Sequence, residues 1–190
     1  MAISSFMVPL GTPAPEFDLP SVDGPRVALS DLTGPALLVA FLCNHCPYVK
    51  HIEHGFAEAA SEFMDSGVDV VGIVSNDTDT YPDDDIDGLR DQVERAGFAF
   101  PYLIDTSQHV ALAFRAACTP DFFLYDGDRK LAYRGAFDES RPRSEAPVTG
   151  ELLRAAVKHV LRGEAVPQPH TPSLGCGIKW KPENADALQQ

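Results

Sequence analysis

Apolar runs that alternate with amphipathic segments predict an α/β protein. Residues 36–42 form a continuous apolar run with the length and composition of a strand buried on both faces. Apolar side chains then recur at steps of three and four residues, which indicates an amphipathic helix from Pro47 to about Asp65. A second apolar run over 68–74 predicts a second buried strand. The folded part of the chain therefore begins with the order strand, helix, strand.

The second half of the chain continues this alternation. It predicts, in order, a helix over 86–96, a strand over 100–104, a helix over 107–117, strands over 122–125 and 130–134, and a helix over 149–161. Ser107 and Thr149 carry side chains that cap helix N-termini. Asp126-Gly127 is the dipeptide of a tight hairpin turn. Helices that alternate with strands, followed by a hairpin, predict a mixed sheet with helices on both faces.

The two ends of the chain differ from this middle part. Residues 1–34 are rich in proline and predict an irregular N-terminal extension with one short hairpin. Residues 163–190 are rich in proline and polar residues, and we expect them to form a C-terminal tail that packs on or near the domain. The chain is thus expected to hold one domain over 1–162, extension included, and a tail over 163–190.

Charge and hydropathy exclude several classes of function. The formal net charge is −13, which opposes the counterion release that nucleic-acid binding requires. Residues 1–17 lack the basic and apolar regions of a secretion signal, and no run approaches the roughly 20 apolar residues that span a bilayer. We therefore expect a cytoplasmic protein with neither nucleic-acid nor membrane partners. The sequence does not indicate its oligomeric state.

The dithiol Cys43-Asn44-His45-Cys46 carries the chemistry that the sequence predicts. It lies between a buried strand and a helix, where the unpaired N–H groups and the dipole of the helix favour a thiolate. We expect Cys43 to attack, Cys46 to resolve the mixed disulfide, and His45 to lower the pKa of Cys43. A structural zinc site would need a second Cys-x-x-Cys or a His-x-x-x-His, so no metal and no cofactor is expected.

The dithiol, the Thr119-Pro120 dipeptide before the strand 122–125, and the closing hairpin and helix resemble the thioredoxin superfamily. The opening Gly11-Thr-Pro-Ala-Pro-Glu-Phe17 is similar to that of its peroxiredoxin-like branch, the redoxins of AhpC/TSA type. The resemblance spans about residues 10–162 and implies a thioredoxin-like fold, a mixed central β-sheet flanked by helices. It also implies a cis bond before Pro120, and a substrate that pairs beside Thr119 and Pro120 as an added strand.

The chain departs from thioredoxins at two positions beside the dithiol. Thioredoxins have a tryptophan just before the first cysteine and a buried aspartate six residues before it, where this chain has Leu42 and Leu37. The usual proton acceptor is therefore absent from its usual place. We expect His45, or a carboxylate from elsewhere in the chain, to assist deprotonation of the dithiol.

The chain also departs from peroxiredoxins. Their peroxidatic cysteine matches Cys46, but the threonine three residues before it is replaced by Cys43, and Pro120 stands near the position of their arginine. Those residues polarise a peroxide, so we rank thiol-disulfide exchange above peroxidase activity. The alternative is an antioxidant thiol peroxidase with Cys46 as the peroxidatic cysteine and Cys43 or Cys176 as the resolving one.

Two further cysteines complete the set of thiols. Cys118 stands just before Thr119 and is more simply read as an inert core residue, whereas Cys176 lies in a tail that would reach the site if it packs back. Both are candidate additional redox thiols. The expected partners are protein or small-molecule thiols and disulfides, with peroxide in the alternative reading.

A third hypothesis is a copper-handling or other metal-binding protein that uses Cys43, Cys46 and a histidine. His51 and His54 also follow the dithiol, but surface histidines on one helix face are the simpler interpretation. The acidic stretch over 77–87 is interpreted as a solvated loop whose aspartates cap the helix that begins at Ile86.

Overall fold

A five-stranded mixed sheet forms the centre of the molecule. The computed structural model describes residues 2–187. In chain order the strands are β1 (Ala2–Ser4), β2 (Asp18–Leu19), β3 (Val27–Ala28), β4 (Leu37–Phe41), β5 (Asp69–Val74), β6 (Tyr102–Ile104), β7 (Cys118–Thr119), β8 (Asp121–Tyr125), β9 (Leu131–Gly135) and β10 (Leu174–Gly177). The helices are α1 (Pro47–Asp65), α2 (Ile86–Ala96), α3 (His109–Phe114) and α4 (Glu151–Leu161), and 3-10 turns cover Leu29–Asp31 and Pro82–Asp84.

The large sheet has the strand order β6-β5-β4-β8-β9. β4 is parallel to β5 and antiparallel to β8, while β6 extends the parallel side and β9 the antiparallel side. All five residues of β4 are buried, as the continuous apolar run predicts for a strand covered on both faces. The α/β class and the thioredoxin-like arrangement expected from the sequence are confirmed.

Side chains of β4 alternate between two apolar cores, one on each face of the sheet. Leu38 and Ala40 pack into the core formed with α1, α2 and α4. Leu37, Val39 and Phe41 pack into the core formed with α3 and the N-terminal extension. Because both cores hold β4 rigidly, the turn that follows it is presented at a fixed position.

None of the helices within residues 2–187 has the length and apolar composition needed to cross a membrane.

A small antiparallel sheet joins the two ends of the chain, in the order β1-β10-β7. The sequence predicts none of these strands, because they are two to four residues long and β10 contains Gly175 and Gly177, which disfavour a strand. The expected hairpin of the extension is present as the pair β2 and β3.

Two helices begin and end differently from the prediction. α3 covers His109–Phe114 rather than 107–117, and its N-cap is Gln108 in the left-handed region, although the Ser107 hydroxyl still accepts a hydrogen bond from the His109 N–H. α4 has Gly150 rather than Thr149 at its N-cap. Glycine is required there because φ is 65° and an added Cβ would lie 2.4 Å from the Phe137 ring.

We expect Phe56→Ala to lower the free energy of unfolding by about 3–5 kcal/mol, because the loss of a fully buried ring leaves a cavity in the core. The ring packs against four others: Phe98, Phe100, Phe122 and Phe137. Urea denaturation measures the change. Phe6→Ala is the matched control, since Phe6 is 38% exposed, and should cost under about 1 kcal/mol. Equal losses in the two variants would contradict this account of the core.

Candidate active site

The two cysteines of the dithiol lie in the turn between β4 and α1. Cys46 is the N-cap residue of α1, and Pro47 occupies the first helical position, where its fixed φ suits the helix and its missing N–H costs nothing. Cys43 lies three residues before Cys46, outside the first turn of the helix. Both side chains are buried. The helix terminus therefore acts most directly on Cys46.

Thr119 contacts both thiols with different atoms. Its hydroxyl oxygen lies 3.1 Å from Cys43 Sγ, and its carbonyl oxygen lies 3.2 Å from Cys46 Sγ. The bond between Thr119 and Pro120 is cis, as the resemblance to thioredoxins implies. The structure thus brings together the two parts of the predicted site, which are more than 70 residues apart in sequence.

A buried aspartate, Asp84, fixes the conformation of the dithiol turn. Its Oδ1 accepts hydrogen bonds from the backbone N–H groups of Asn44 (2.7 Å) and His45 (3.2 Å). Its Oδ2 lies 2.6 Å from His45 Nδ1 and accepts a 2.8 Å hydrogen bond from the side-chain amide of Asn76. His45 also stacks on Tyr81, with ring centroids 5.4 Å apart. His45 is therefore directed to Asp84, and its Nδ1 donates to a carboxylate rather than to a sulfur.

The interpretation of the acidic stretch as a solvated loop is wrong for Asp84, which is fully buried. Its neighbour Asp85 does cap α2, since its side chain accepts a 2.8 Å hydrogen bond from the Gly88 N–H. Sequence reasoning missed Asp84 because a run of aspartates is most simply explained by solvent. Asn76, two residues after β5, donates to Asp84. A polar residue in this position could have indicated that the loop folds inward toward the dithiol.

Gln92 and Tyr102 form a hydrogen-bonded chain that ends on the backbone of Cys43. Sequence reasoning also missed these two residues. The Gln92 amide donates a 3.1 Å hydrogen bond to the carbonyl oxygen of Cys43, and the Tyr102 hydroxyl donates to Gln92 Oε1 at 2.9 Å. Both side chains are buried. A polar residue on the apolar face of a predicted helix, as Gln92 is on α2, was the signal that could have found this contact.

The pKa values of the two thiols are shifted in opposite directions. A hydrogen bond from the Cys43 thiol, with further donors from the Cys176 thiol and the Val49 N–H, lowers the pKa of Cys46 to about 5 against the effect of burial. Burial raises the pKa of Cys43, and the negative charge of Asp84 raises it further. The Thr119 carbonyl suits a protonated Cys46, but it is one acceptor against several donors. The directions of these pKa shifts favour a thiolate at Cys46, where the sequence predicts one at Cys43, and the start of α1 after the second cysteine agrees with this.

The remaining cysteines occupy different environments. Cys118 is buried, its Sγ lies 3.6 Å from the Pro120 carbonyl oxygen, and burial raises its pKa, which fits an inert core residue. Cys176, in β10, is half-buried and lies opposite Thr119 in the small sheet. Its side chain packs against the core that contains Cys43 and Cys46, and its thiol lowers the pKa of Cys46.

One group of potential metal ligands lies at the site. Donor atoms of Cys43, His45 and Asp84 are within 4.8 Å of one another. This set differs from the predicted one of two cysteines and a histidine. Both oxygens of Asp84 already accept hydrogen bonds, so a cation could bind here only by breaking the contacts that shape the turn. His51 is not part of this group of ligands, and its Nε2 lies 3.0 Å from the Ser140 hydroxyl oxygen.

The profile of the AhpC/TSA family matches residues 10–134. This chain belongs to the AhpC/TSA family. A crystal structure of a conserved protein from Geobacillus kaustophilus is 48% identical, with a TM-score of 0.93 over 96% of this chain and 97% of that one. The thiol-disulfide oxidoreductase ResA of Bacillus thuringiensis is 23% identical over 72% of this chain and 75% of its own length. A thioredoxin-family thiol:disulfide interchange protein of Chlorobium tepidum shares the fold, with 19% identity and a TM-score of 0.62 over 80% of this chain and 97% of that one.

For this AhpC/TSA family member, we expect the ultraviolet absorbance of a thiolate to rise as the pH increases through about 5, because Cys46 loses its proton there. Cys46→Ser should remove this transition. Cys43→Ala should move it to higher pH, since the thiol of Cys43 is the main donor to Cys46. Titration at 240 nm measures the change, and Cys118→Ser is the control that leaves it in place. A transition that is lost with Cys43 and kept without Cys46 would contradict the assignment.

Proposed function

We propose that this protein is a thiol-disulfide oxidoreductase that exchanges a dithiol for a disulfide of a small molecule or a protein. The observation that supports this most directly is the placement of Cys46 at the N-terminus of α1, with a second thiol, Cys43, held against the same residue, Thr119. A thiolate is the nucleophile in disulfide exchange, and a neighbouring thiol is needed to release the product. The names of the relatives of this chain agree with this reaction class.

The proposed reaction uses both cysteines. The Cys46 thiolate attacks a substrate disulfide R–S–S–R, which forms Cys46–S–S–R and releases RS⁻. Cys43 gives its proton to RS⁻, and its sulfur attacks Cys46 Sγ to release the second RS⁻ and leave a disulfide between the two cysteines. Cys43 is protonated while Cys46 is charged, and it becomes easier to deprotonate once the mixed disulfide has removed that charge.

His45, Thr119 and Pro120 are proposed to position these groups. His45 acts through Asp84, which it contacts, rather than by donating to a sulfur. Thr119 orients both thiols through its hydroxyl and its carbonyl oxygen. Pro120 lines a small cavity of about 20 Å³ with Tyr48 and Phe137, and we propose that it contacts the part of a substrate that lies beside Thr119.

Peroxidase activity is the lower-ranked proposal. Among residues 2–187, no arginine side chain hydrogen-bonds to either thiol; Arg95, for example, is paired with Glu53 and Asn44. The hydroxyl of Thr119 contacts Cys43 rather than Cys46. Cys46 therefore lacks the charged donor that would polarise a peroxide, and any antioxidant role would follow from exchange with oxidised thiols.

We place the protein in the cytoplasm as part of this proposal. The support is the set of free thiols, since the reducing conditions of that compartment would regenerate the dithiol after each turnover.

We expect Cys46→Ser to lower the turnover of a small aromatic disulfide in the presence of a thiol reductant by about 10²-fold or more, because no mixed disulfide can form. Cys118→Ser is the matched control, since it removes a buried thiol outside the proposed reaction, and should retain activity. Absorbance of the released aromatic thiol measures the rate, and hydrogen peroxide replaces the disulfide in a parallel arm.

Three outcomes would contradict this proposal. Full disulfide turnover by Cys46→Ser would exclude Cys46 as the nucleophile. Loss in Cys43→Ser together with full activity in Cys46→Ser would reverse the roles of the two thiols. Consumption of peroxide at a higher rate than disulfide, dependent on Cys46 alone, would favour the peroxidase.

A further inference from the structure

Strand β10 occupies the edge where the resemblance to thioredoxins places the substrate. Cys176 pairs with Thr119, and Gly177 pairs with Cys118, in an antiparallel register. On its other side β10 pairs with β1, with Cys176 opposite Ala2. The backbone edge of Thr119 that would accept an added strand is therefore paired within the chain itself.

This pairing brings a third thiol to the dithiol. Residues directly opposite each other in an antiparallel pair project to the same face. The Thr119 side chain projects toward Cys43, so the side chain of Cys176 projects to the same side as the dithiol. Cys176 also packs against the apolar core that contains Cys43 and Cys46. A third thiol therefore lies beside the dithiol, on the side of Thr119 where β10 runs.

The approach of β10 to Thr119 is too close for a side chain at Gly175. A Cβ added at Gly175 would lie 2.0 Å from the carbonyl oxygen of Thr119. Gly177 has more room, since an added Cβ would lie 3.3 Å from Ile3 Cδ1, the end of a flexible side chain. The first glycine is therefore needed to place Cys176 beside the dithiol, and the second is not.

The segment after β10 is anchored to the rest of the domain. The N–H of Ile178 donates to the Ala117 carbonyl oxygen at 3.1 Å. The N–H of Lys179 donates to Asn76 Oδ1 at 2.8 Å, and its carbonyl oxygen accepts from the Gln108 amide at 2.8 Å. Because Asn76 also donates to Asp84, the same side chain links the tail to the dithiol turn.

We propose that Cys176 is a second resolving thiol, which forms a disulfide with Cys46 after Cys46 has reacted with a substrate disulfide. The inference rests on the proposed exchange function, and it assigns β10 the place and the reactive group of a bound substrate strand. Once Cys46–S–S–R has formed, the sulfur of Cys176 attacks Cys46 Sγ, and its proton passes to the departing RS⁻. One R–S–S–R is reduced to one RS⁻, which takes a proton from solvent, and one RSH, while the Cys46 thiolate and the Cys176 thiol together lose two electrons and one proton.

The protonation of Cys176 suits this order of events. Burial, then the hydrogen bond and charge of Cys46, raise the pKa of Cys176 to about 12. A mixed disulfide at Cys46 removes the charge, so Cys176 becomes more acidic at the step in which it attacks. Lys179 acts in the same direction, since its positive charge lowers the pKa of Cys176.

The test uses the full chain with Cys43→Ser, so that Cys46 has one candidate resolving thiol beside it. The reduced variant is treated with one equivalent of oxidised glutathione, quenched in acid, alkylated and digested with trypsin. Residues 27–50 contain Cys46, and residues 163–179 contain Cys176. We expect release of two glutathione molecules per chain and a disulfide-linked pair of these peptides.

Matched variants separate this inference from the function on which it rests. With Cys176→Ser added, the reaction should stop at a glutathione adduct on Cys46 with one glutathione released, whereas added Cys118→Ser should change nothing. Added Gly175→Ala should lower the yield of linked peptides at least about tenfold because it displaces β10, and added Gly177→Ala should preserve the yield. A stable adduct on Cys46 with Cys176 still alkylated in the Cys43→Ser protein would overturn the inference alone. Absence of any reaction at Cys46 in every variant would overturn the exchange function as well.

Discussion

The geometry of the site depends on one residue, Thr119, which contacts two thiols directly and is paired through its backbone with a third cysteine. Its hydroxyl contacts Cys43, its carbonyl oxygen contacts Cys46, and its backbone is paired with Cys176. Since β7 is only two residues long, these contacts hold the dithiol turn, the cis-proline loop and the C-terminal tail in a common position. A displacement of Thr119 would therefore alter the distances among all three sulfurs at once.

Burial then determines which sulfur carries a charge. A buried thiolate needs donors to replace water, and these gather on Cys46 from the helix terminus and from the other thiols. Cys43 has the fully buried Asp84 nearby, whose own donors are Asn44, His45 and Asn76. The histidine of the motif thus stabilises a carboxylate instead of a thiolate. Asp84 and Cys46 therefore each have their own set of donors.

The long elements of the fold could be predicted because their patterns are strong. β4 is a continuous apolar run and α1 has a clear helical period, so the position of the dithiol between them followed from the sequence. The roles that we propose for Cys43 and Cys46 did not, because they depend on whether the helix begins before or after the second cysteine, and helix boundaries are set by local contacts. Asp84 and Gln92 were missed because their burial arises from tertiary packing. The identity of a polar residue in the sequence does not indicate that it will be buried. β1, β7 and β10 are too short, and β10 too rich in glycine, for their pairing to be visible in a periodic pattern.

The closed edge at β7 has a consequence for the choice of substrate. A protein segment that binds as an added strand beside Thr119 would have to displace β10, which is hydrogen-bonded to β1 and β7 on its two sides. That displacement would leave several backbone groups without partners, and unpaired buried groups are costly. A small disulfide does not have to pair along β7, although it still has to reach Cys46 Sγ, which is buried; the small cavity beside Pro120 lies between α1 and the residues just before Cys176, Ser173 and Leu174. The pairing that brings Cys176 to the dithiol therefore also blocks the edge of Thr119 to an extended protein segment for as long as β10 stays in place.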